Sequence, residues 1–314
     1  MLSQYSWTEV LIFFIIVITF LLVDLFYHKK DEAVSLKNAA SWSLIWVSLG
    51  LSFAVYIGFT HGLEPCYLYL AGYFVELSLS VDNLFVFMAI FSSFVVKDEY
   101  QHRVLYYGII GALIFRFVFI AAGTSLLAIF DKWALTAFGL FVLWSAWKMW
   151  QESRKPEREL TDYSHHWAVS VVRRFMPVSN KLYGHDFFTK LDGRWHMTPL
   201  FLCLVTVEVA DIMFAFDSVP AIIAITQEPF LIYTSNIFAI LGLRSMYFLL
   251  AAAKRYLVHL EKSVIAILAF IGVKMLGQVI TGFHIPPMLS LGVILGLLTL
   301  GVIASLMSSR RHSA

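Results

Sequence analysis

The sequence predicts an all-α fold: a polytopic helical membrane protein of about nine transmembrane helices with an inverted three-helix repeat. Three observations carry this expectation. The 314 residues are 60% hydrophobic and only 14% charged, with a mean hydropathy of +0.77, whereas soluble domains carry about 25% charged residues. Long apolar runs with aromatic ends recur nine times, and the charges inside two groups of three runs recur in matching order. So large an apolar excess does not fit a single globular core, so lipid is the expected solvent. A soluble enzyme, a nucleic-acid binder and a disordered regulator are excluded, and a net charge of +2 points to no polyanionic partner. The lipid bilayer is the expected partner, no nucleic acid is expected, and protein partners are not specified.

In chain order, the first run, Trp7 to Tyr27, ends in Asp24 and His28-Lys29-Lys30 and lacks a small-residue cleavage site, so it reads as a retained helix and not a signal peptide. The others span about Trp42 to Phe59, Tyr67 to Val95, Val104 to Phe130, Trp133 to Trp150, Thr198 to Ile225, Phe230 to Ala253, Val264 to Ile280 and Ile285 to Met307. These lengths suit a hydrocarbon layer of about 30 Å. Residues 1–314 thus read as one transmembrane domain, interrupted by a soluble stretch at 151–197.

Basic loops are retained on the cytoplasmic side. Placing the N-terminus outside and the C-terminus inside puts Lys29, Lys30, Lys37, Lys97, Arg103, the eight basic residues from Arg154 to Arg194, Lys254, Arg255, Lys262, Arg310 and Arg311 in the cytoplasm and leaves only Lys132 outside. The expected location is the bacterial inner membrane, with 151–197 as a cytoplasmic loop. Within it, Arg173, Arg174 and Phe175 read as part of a solvated linker, with an anionic membrane surface as the alternative. Cys66 and Cys203 make no disulfide framework and fall near opposite faces of this topology.

Four basic residues remain inside the spans, and they form two matched pairs. Arg116 in LIFRFVF corresponds to Arg244 in LGLRSMYF, and Lys148-Met149 corresponds to Lys274-Met275. The same alignment sets Tyr73 to Asn83 over Glu208 to Ser218, so Glu76 meets Asp211, Asp82 meets Asp217 and Asn83 meets Ser218. Repeat one covers about 67–150 and repeat two about 198–281. The third and sixth spans run in opposite directions, so the units are inverted, an arrangement found in transporters with a midplane site where the repeats meet.

Asp24, Glu76, Asp82, Glu208, Asp211 and Asp217 are the acidic residues within or at the ends of spans. Ten ionised groups facing lipid would cost on the order of 25 to 35 kcal/mol, so they must face one another, water or an ion. Glu76, Ser80 and Asn83 share one helical face; Glu208, Asp211 and Ser218 share another, with Asp82 and Asp217 one step round. Pro220 removes an amide hydrogen, so a break near Asp217 is expected, with Asp217 or Ser218 capping a new half-helix. All ten histidines lie outside the spans or at their edges and only Cys203 lies near the carboxylates. The donors are therefore oxygens suited to Mg²⁺, Ca²⁺ or Mn²⁺. The candidate metal ligands are Glu76, Asp82, Asn83, Glu208, Asp211, Asp217 and Ser218. Arg116, Arg244, Lys148 and Lys274 are expected as structural or coupling charges, and Asp24 as an ion-pair partner or site residue. No covalent cofactor is implied.

At these residues the chain resembles the TerC family of integral membrane proteins, including its Alx branch. The resemblance rests on VELSLSVDNLFVF (Val75 to Phe87), EVADIMFAFDSVPAI (Glu208 to Ile222), SNIFAILGLRSMYFLL (Ser235 to Leu250) and FIGVKM (Phe270 to Met275), and extends over nearly the whole chain. It implies nine helices in a bacterial inner membrane, a link to tellurium resistance, Mn²⁺ export, an alkaline-pH response in the Alx branch, and acidic motif residues at Glu76, Asp82, Asp211 and Asp217. Leu77 and Ala210 depart from the Lys and Ser of many relatives.

The leading expectation is a divalent-cation exporter for Mn²⁺, with Ca²⁺ and Mg²⁺ as alternatives, working by alternating access and not as an enzyme. Intramembrane aspartyl proteolysis by Asp82 and Asp217 lacks a GxGD context. A membrane scaffold or redox or pH-stress modulator acting through 151–197 is the competing class, and oxyanion transport matches a carboxylate-rich centre poorly.

Overall fold

The computed structural model describes residues 5–27, 36–154, 166–179, 181–191, 193–253, 260–282 and 284–311. Among them are α1 (Trp7–Tyr27), α2 (Leu36–His61), α3 (Leu63–Ser93), α4 (Asp98–Phe130), α5 (Lys132–Ser153), α6 (Trp167–Val172), α7 (Pro199–Ile225), α8 (Pro229–Leu241), α9 (Leu243–Ala253), α10 (Leu260–Thr281) and α11 (Pro287–Arg311). The hairpin β1 (Phe188–Leu191) and β2 (Arg194–Met197) pairs antiparallel, Phe188 opposite Met197 and Leu191 opposite Arg194. Gly193 takes φ 81° in its turn, a value that disfavours any side chain.

Helix starts follow local chemistry. Thr198 caps α7 by accepting from the Phe201 amide at 3.4 Å, and Pro199 and Pro229 open α7 and α8, where the missing amide is no loss. Asp98 and Glu99 place negative charge at the positive end of the α4 dipole.

All nine predicted runs are largely helical, but they are not equally suited to crossing a bilayer. Among the described residues α2, α3, α4, α7, α10 and α11 are long and apolar enough, and α8 with α9 makes a seventh as a broken span bent by 44°. The part of α1 whose side chains are described, Trp7–Val23, is a shorter apolar helix. The chain is therefore a multi-pass all-α membrane protein, with six to seven candidate spans among the described residues. The expected break at Pro220 is absent: α7 runs unbroken through it. Pro220 is buried, as is every residue from Ser218 to Ile225, and packing against neighbours lets a membrane helix carry a proline without ending. The break falls instead at Gly242 in the next span, where an added Cβ would lie 3.3 Å from Trp46 Cβ.

Two apolar clusters meet at a polar belt. One holds Ala71 to Leu79 of α3, Ile120 and Leu127 of α4, and Val219 to Ile225 of α7; the other holds Leu84 to Phe94, Val104 to Ala112, and Leu200 to Ala210 of the same helices. So α3 passes from the first cluster to the second while α4 and α7 pass the other way. Where they meet lie the buried polar side chains Glu76, Ser80, Asn83, Arg116, Asp211 and Ser218. α4 packs on α7, α3 packs on α8 and α7, and α5 packs on α10. The last contact is close, since a Cβ on Gly272 would come within 3.2 Å of the Gly139 carbonyl oxygen.

Candidate functional site

The site is built where α3, α4, α7 and α8 pass through the polar belt. Arg116 of α4 is 1% exposed and points between α3 and α7. Its Nη1 donates to Glu76 Oε1 in an ion pair and to Ser218 Oγ at 3.0 Å, while Nη2 lies 3.6 Å from Asp211 Oδ1. Asn236 of α8 donates through Nδ2 to Glu76 Oε2 at 3.1 Å. Glu76 and Asn236 are both wholly buried. Two carboxylates thus share one guanidinium, leaving one negative charge over if both are ionised. Breaking a buried pair costs about 3–5 kcal/mol when it leaves a charge uncompensated; here the second carboxylate remains beside Arg116 when one is neutralised, so the loss is smaller.

Beside this cluster a cavity of about 450 Å³ opens between α3, α5 and α7. Asn83, Ser145, Thr206 and Asp217 supply oxygens to its wall, and Lys148, Glu152 and His166 border it. Ser145 Oγ donates to Asp217 Oδ1 at 2.6 Å. Lys148 Nζ stands 5.6 Å from the centre of the Trp144 ring, placing its charge over an aromatic face. His166 lies outside the spans, and its partial burial draws its pKa below the ordinary imidazole value of 6.5.

The sequence expected one shared pocket, and the described residues divide instead into two groups. Glu76, Asp211 and Ser218 meet on Arg116, whereas Asn83 and Asp217 face the cavity. Glu208 belongs to neither: its carboxylate fills the space that a Cβ on Gly111 of α4 would occupy, and its Oε2 has no hydrogen-bond partner. The reason is rotational: Glu208, Asp211 and Ser218 share the face of α7 that meets α4, whereas Asp217, one step round, meets Ser145 of α5. Among the described residues no three histidine, cysteine or acidic side chains are grouped to hold a metal ion. The Asp82 and Asp24 side chains lie outside the described residues, as do His28, Lys29, Lys30, Lys254 and Arg255. Arg244 hydrogen-bonds His102 Nε2 at 3.1 Å and borders a small void with Asp211. Lys274 is buried on α10, and both cysteines are free thiols.

Sequence reasoning missed Asn236, Ser145 and Thr206. Asn236 sits in the SNIFAILGLR motif, and a buried amide in an apolar run was the available signal. Ser145 and Thr206 carry no such signal, since hydroxyls commonly bond their own helix backbone.

A family model described as "Integral membrane protein TerC family" matches residues 61–313. The chain is 46% identical to a "Tellurium resistance protein TerC" of Serratia marcescens, with 95% of this chain and 93% of that protein aligned. It is 44% identical to a protein of the same description from an Alcaligenes species, over 93% and 91%. It is 39% identical to the "Putative membrane-bound redox modulator Alx" of Escherichia coli strain K12, over 96% and 94%. No solved structure matches.

Proposed function

Because the chain belongs to the TerC family of integral membrane proteins, we propose that it exports a divalent metal cation, Mn²⁺, across the bacterial inner membrane by alternating access, with no chemical step of its own. The observation that carries this reading is the 450 Å³ cavity with Asn83, Ser145, Thr206 and Asp217 in its wall. Hydroxyl, amide and carboxylate oxygens outnumber the soft donors of this wall, the Met149 and Met213 thioethers and the His166 imidazole, and no cysteine lines it, a donor set that suits a hard divalent ion. Asp82 joins this ligand set by its sequence position beside Asn83.

An inverted repeat, α3 to α5 against α7 to α10, supports alternating access. If the repeats exchange by a two-fold, α4 on α7 maps onto α8 on α3, and both contacts are extensive. The opposed passage of α3 and α7 between the two apolar clusters agrees with inversion. Rocking of one repeat against the other then opens the belt to each side in turn, with the N-terminus outside and the C-terminus cytoplasmic.

The test is metal flux by the purified protein in liposomes, with Mn²⁺, Ca²⁺ and Mg²⁺ compared, beside cytoplasmic Mn²⁺ in a deletion strain. Wild type lowers the accumulated Mn²⁺, and Asp217→Ala and Asp82→Ala do not. Equal relief by both variants would sink the site. The description of relatives as redox modulators favours a second reading, a modulator acting through 151–197; complementation by site variants without metal flux would select it.

A further inference from the structure

We propose that Arg116 is a tethered rival of the transported cation, seated in this structure on Glu76, Asp211 and Ser218, and that it moves to the Glu208 carboxylate when the metal takes its seat. The proposal rests on the transport reading above.

Three of the seven residues that the sequence marks as metal ligands touch this one guanidinium. Glu76, Asp211 and Ser218 form a second station for the ion beside the cavity station of Asn83 and Asp217, and a positive group already stands in it. The seat is incompletely satisfied, unlike that of a purely structural ion pair, whose remaining donors and acceptors should find partners. Arg116 Nε and Nη2 make no hydrogen bond, and Asp211 Oδ2, Asn236 Oδ1 and Ser80 Oγ have none either. With these atoms unsatisfied, the guanidinium gives up less on leaving than it would from a fully bonded seat.

The structure also offers a destination. Glu208 lies one turn before Asp211 on α7, with a buried Oε2 that nothing bonds. Its carboxylate occupies the notch made by Gly111, on the same helix as Arg116 and five residues earlier. Five residues of helix rise by roughly 7.5 Å but turn by about 140°, so the route to that notch does not run down one face of α4; it runs along α7, from Asp211, which the guanidinium already touches at 3.6 Å, to Glu208 one turn earlier. A divalent ion brings two charges to the Glu76 and Asp211 pair where Arg116 brings one. The metal therefore displaces the arginine, and the return of the arginine expels the metal. Arg116 is thus a positioning residue for release, and Glu208 its second seat.

Equilibrium binding of Mn²⁺ to the purified full-length protein tests this. Glu208→Gln takes away the second seat, so Arg116 stays on the pair and Mn²⁺ binding weakens by roughly 5- to 150-fold, the usual range of coupling between two sites. Gly111→Ala, which fills the notch, weakens binding in the same direction. Arg116→Gln tightens binding while slowing release into liposomes, and in that background Glu208→Gln has no further effect. Unchanged affinity in both Glu208→Gln and Gly111→Ala overturns the proposal, and those two variants suffice if Arg116→Gln does not fold. An equal loss from Glu208→Gln with and without Arg116 also overturns it, since Glu208 would then be a direct ligand. Wild type that binds none of Mn²⁺, Ca²⁺ and Mg²⁺ is a separate result, and it removes the transport reading itself.

Discussion

Neutralising Glu76 should destabilise the protein more than neutralising Asp211, although both carboxylates address the same guanidinium. Glu76 accepts from Arg116 Nη1 and from Asn236 Nδ2, the latter at 3.1 Å. Asp211 reaches Arg116 only across 3.6 Å, and its Oδ2 accepts nothing. A hydrogen bond to an ionised group contributes about 1.5–3 kcal/mol and a neutral one about 0.5–1.5 kcal/mol, so Glu76→Gln, which weakens two such bonds, should cost about 2–3 kcal/mol. Asp211→Asn gives up only the 3.6 Å contact and also removes the charge that the single guanidinium leaves over, so its cost should stay within the range of one neutral hydrogen bond, about 0.5–1.5 kcal/mol. Reversible unfolding in mixed micelles without added metal, followed by tryptophan emission or circular dichroism, measures both. A loss in Asp211→Asn equal to or larger than that in Glu76→Gln would refute this division of the charge.

The remaining expectations concern packing, the cavity and pH. Gly272→Ala forces a Cβ to 2.6 Å from Leu143 Cγ at the α5 and α10 contact and should cost about 1–3 kcal/mol. Gly277→Ala, with nothing within 4 Å, should be neutral or stabilising by about 0.5–1 kcal/mol in the same melt. Ser145→Ala removes the 2.6 Å bond to Asp217 and frees that carboxylate to reorient; Mn²⁺ affinity should fall without loss of fold, as read by calorimetric titration. Because the folded His166 titrates below 6.5, the unfolded chain takes up a proton first. Its contribution to stability is complete above that pH and fades as pH falls through the lowered folded value. Amide exchange in Trp167 to Val172, corrected for intrinsic rates, should therefore quicken on acidification in wild type and much less in His166→Asn.

The sequence alone established the solvent, the helices and the stock of buried charge. Apolar length identifies a membrane helix before any contact is known, and the matched positions of Glu76 with Asp211 and Arg116 with Arg244 are what the proposed inverted repeat rests on. The fate of Pro220 was not legible, because whether a proline breaks a helix depends on what packs around it. Nor did sequence show that Glu208 lies against Gly111, or that Asn236 completes the shell of Glu76. Periodicity states which side chains share one face of one helix. Which neighbouring helix that face meets, and which guanidinium takes which carboxylate, depends on helix rotation and crossing. Only tertiary packing sets these, and it gave the oxygens of α3 and α7 partly to Arg116 and partly to the cavity.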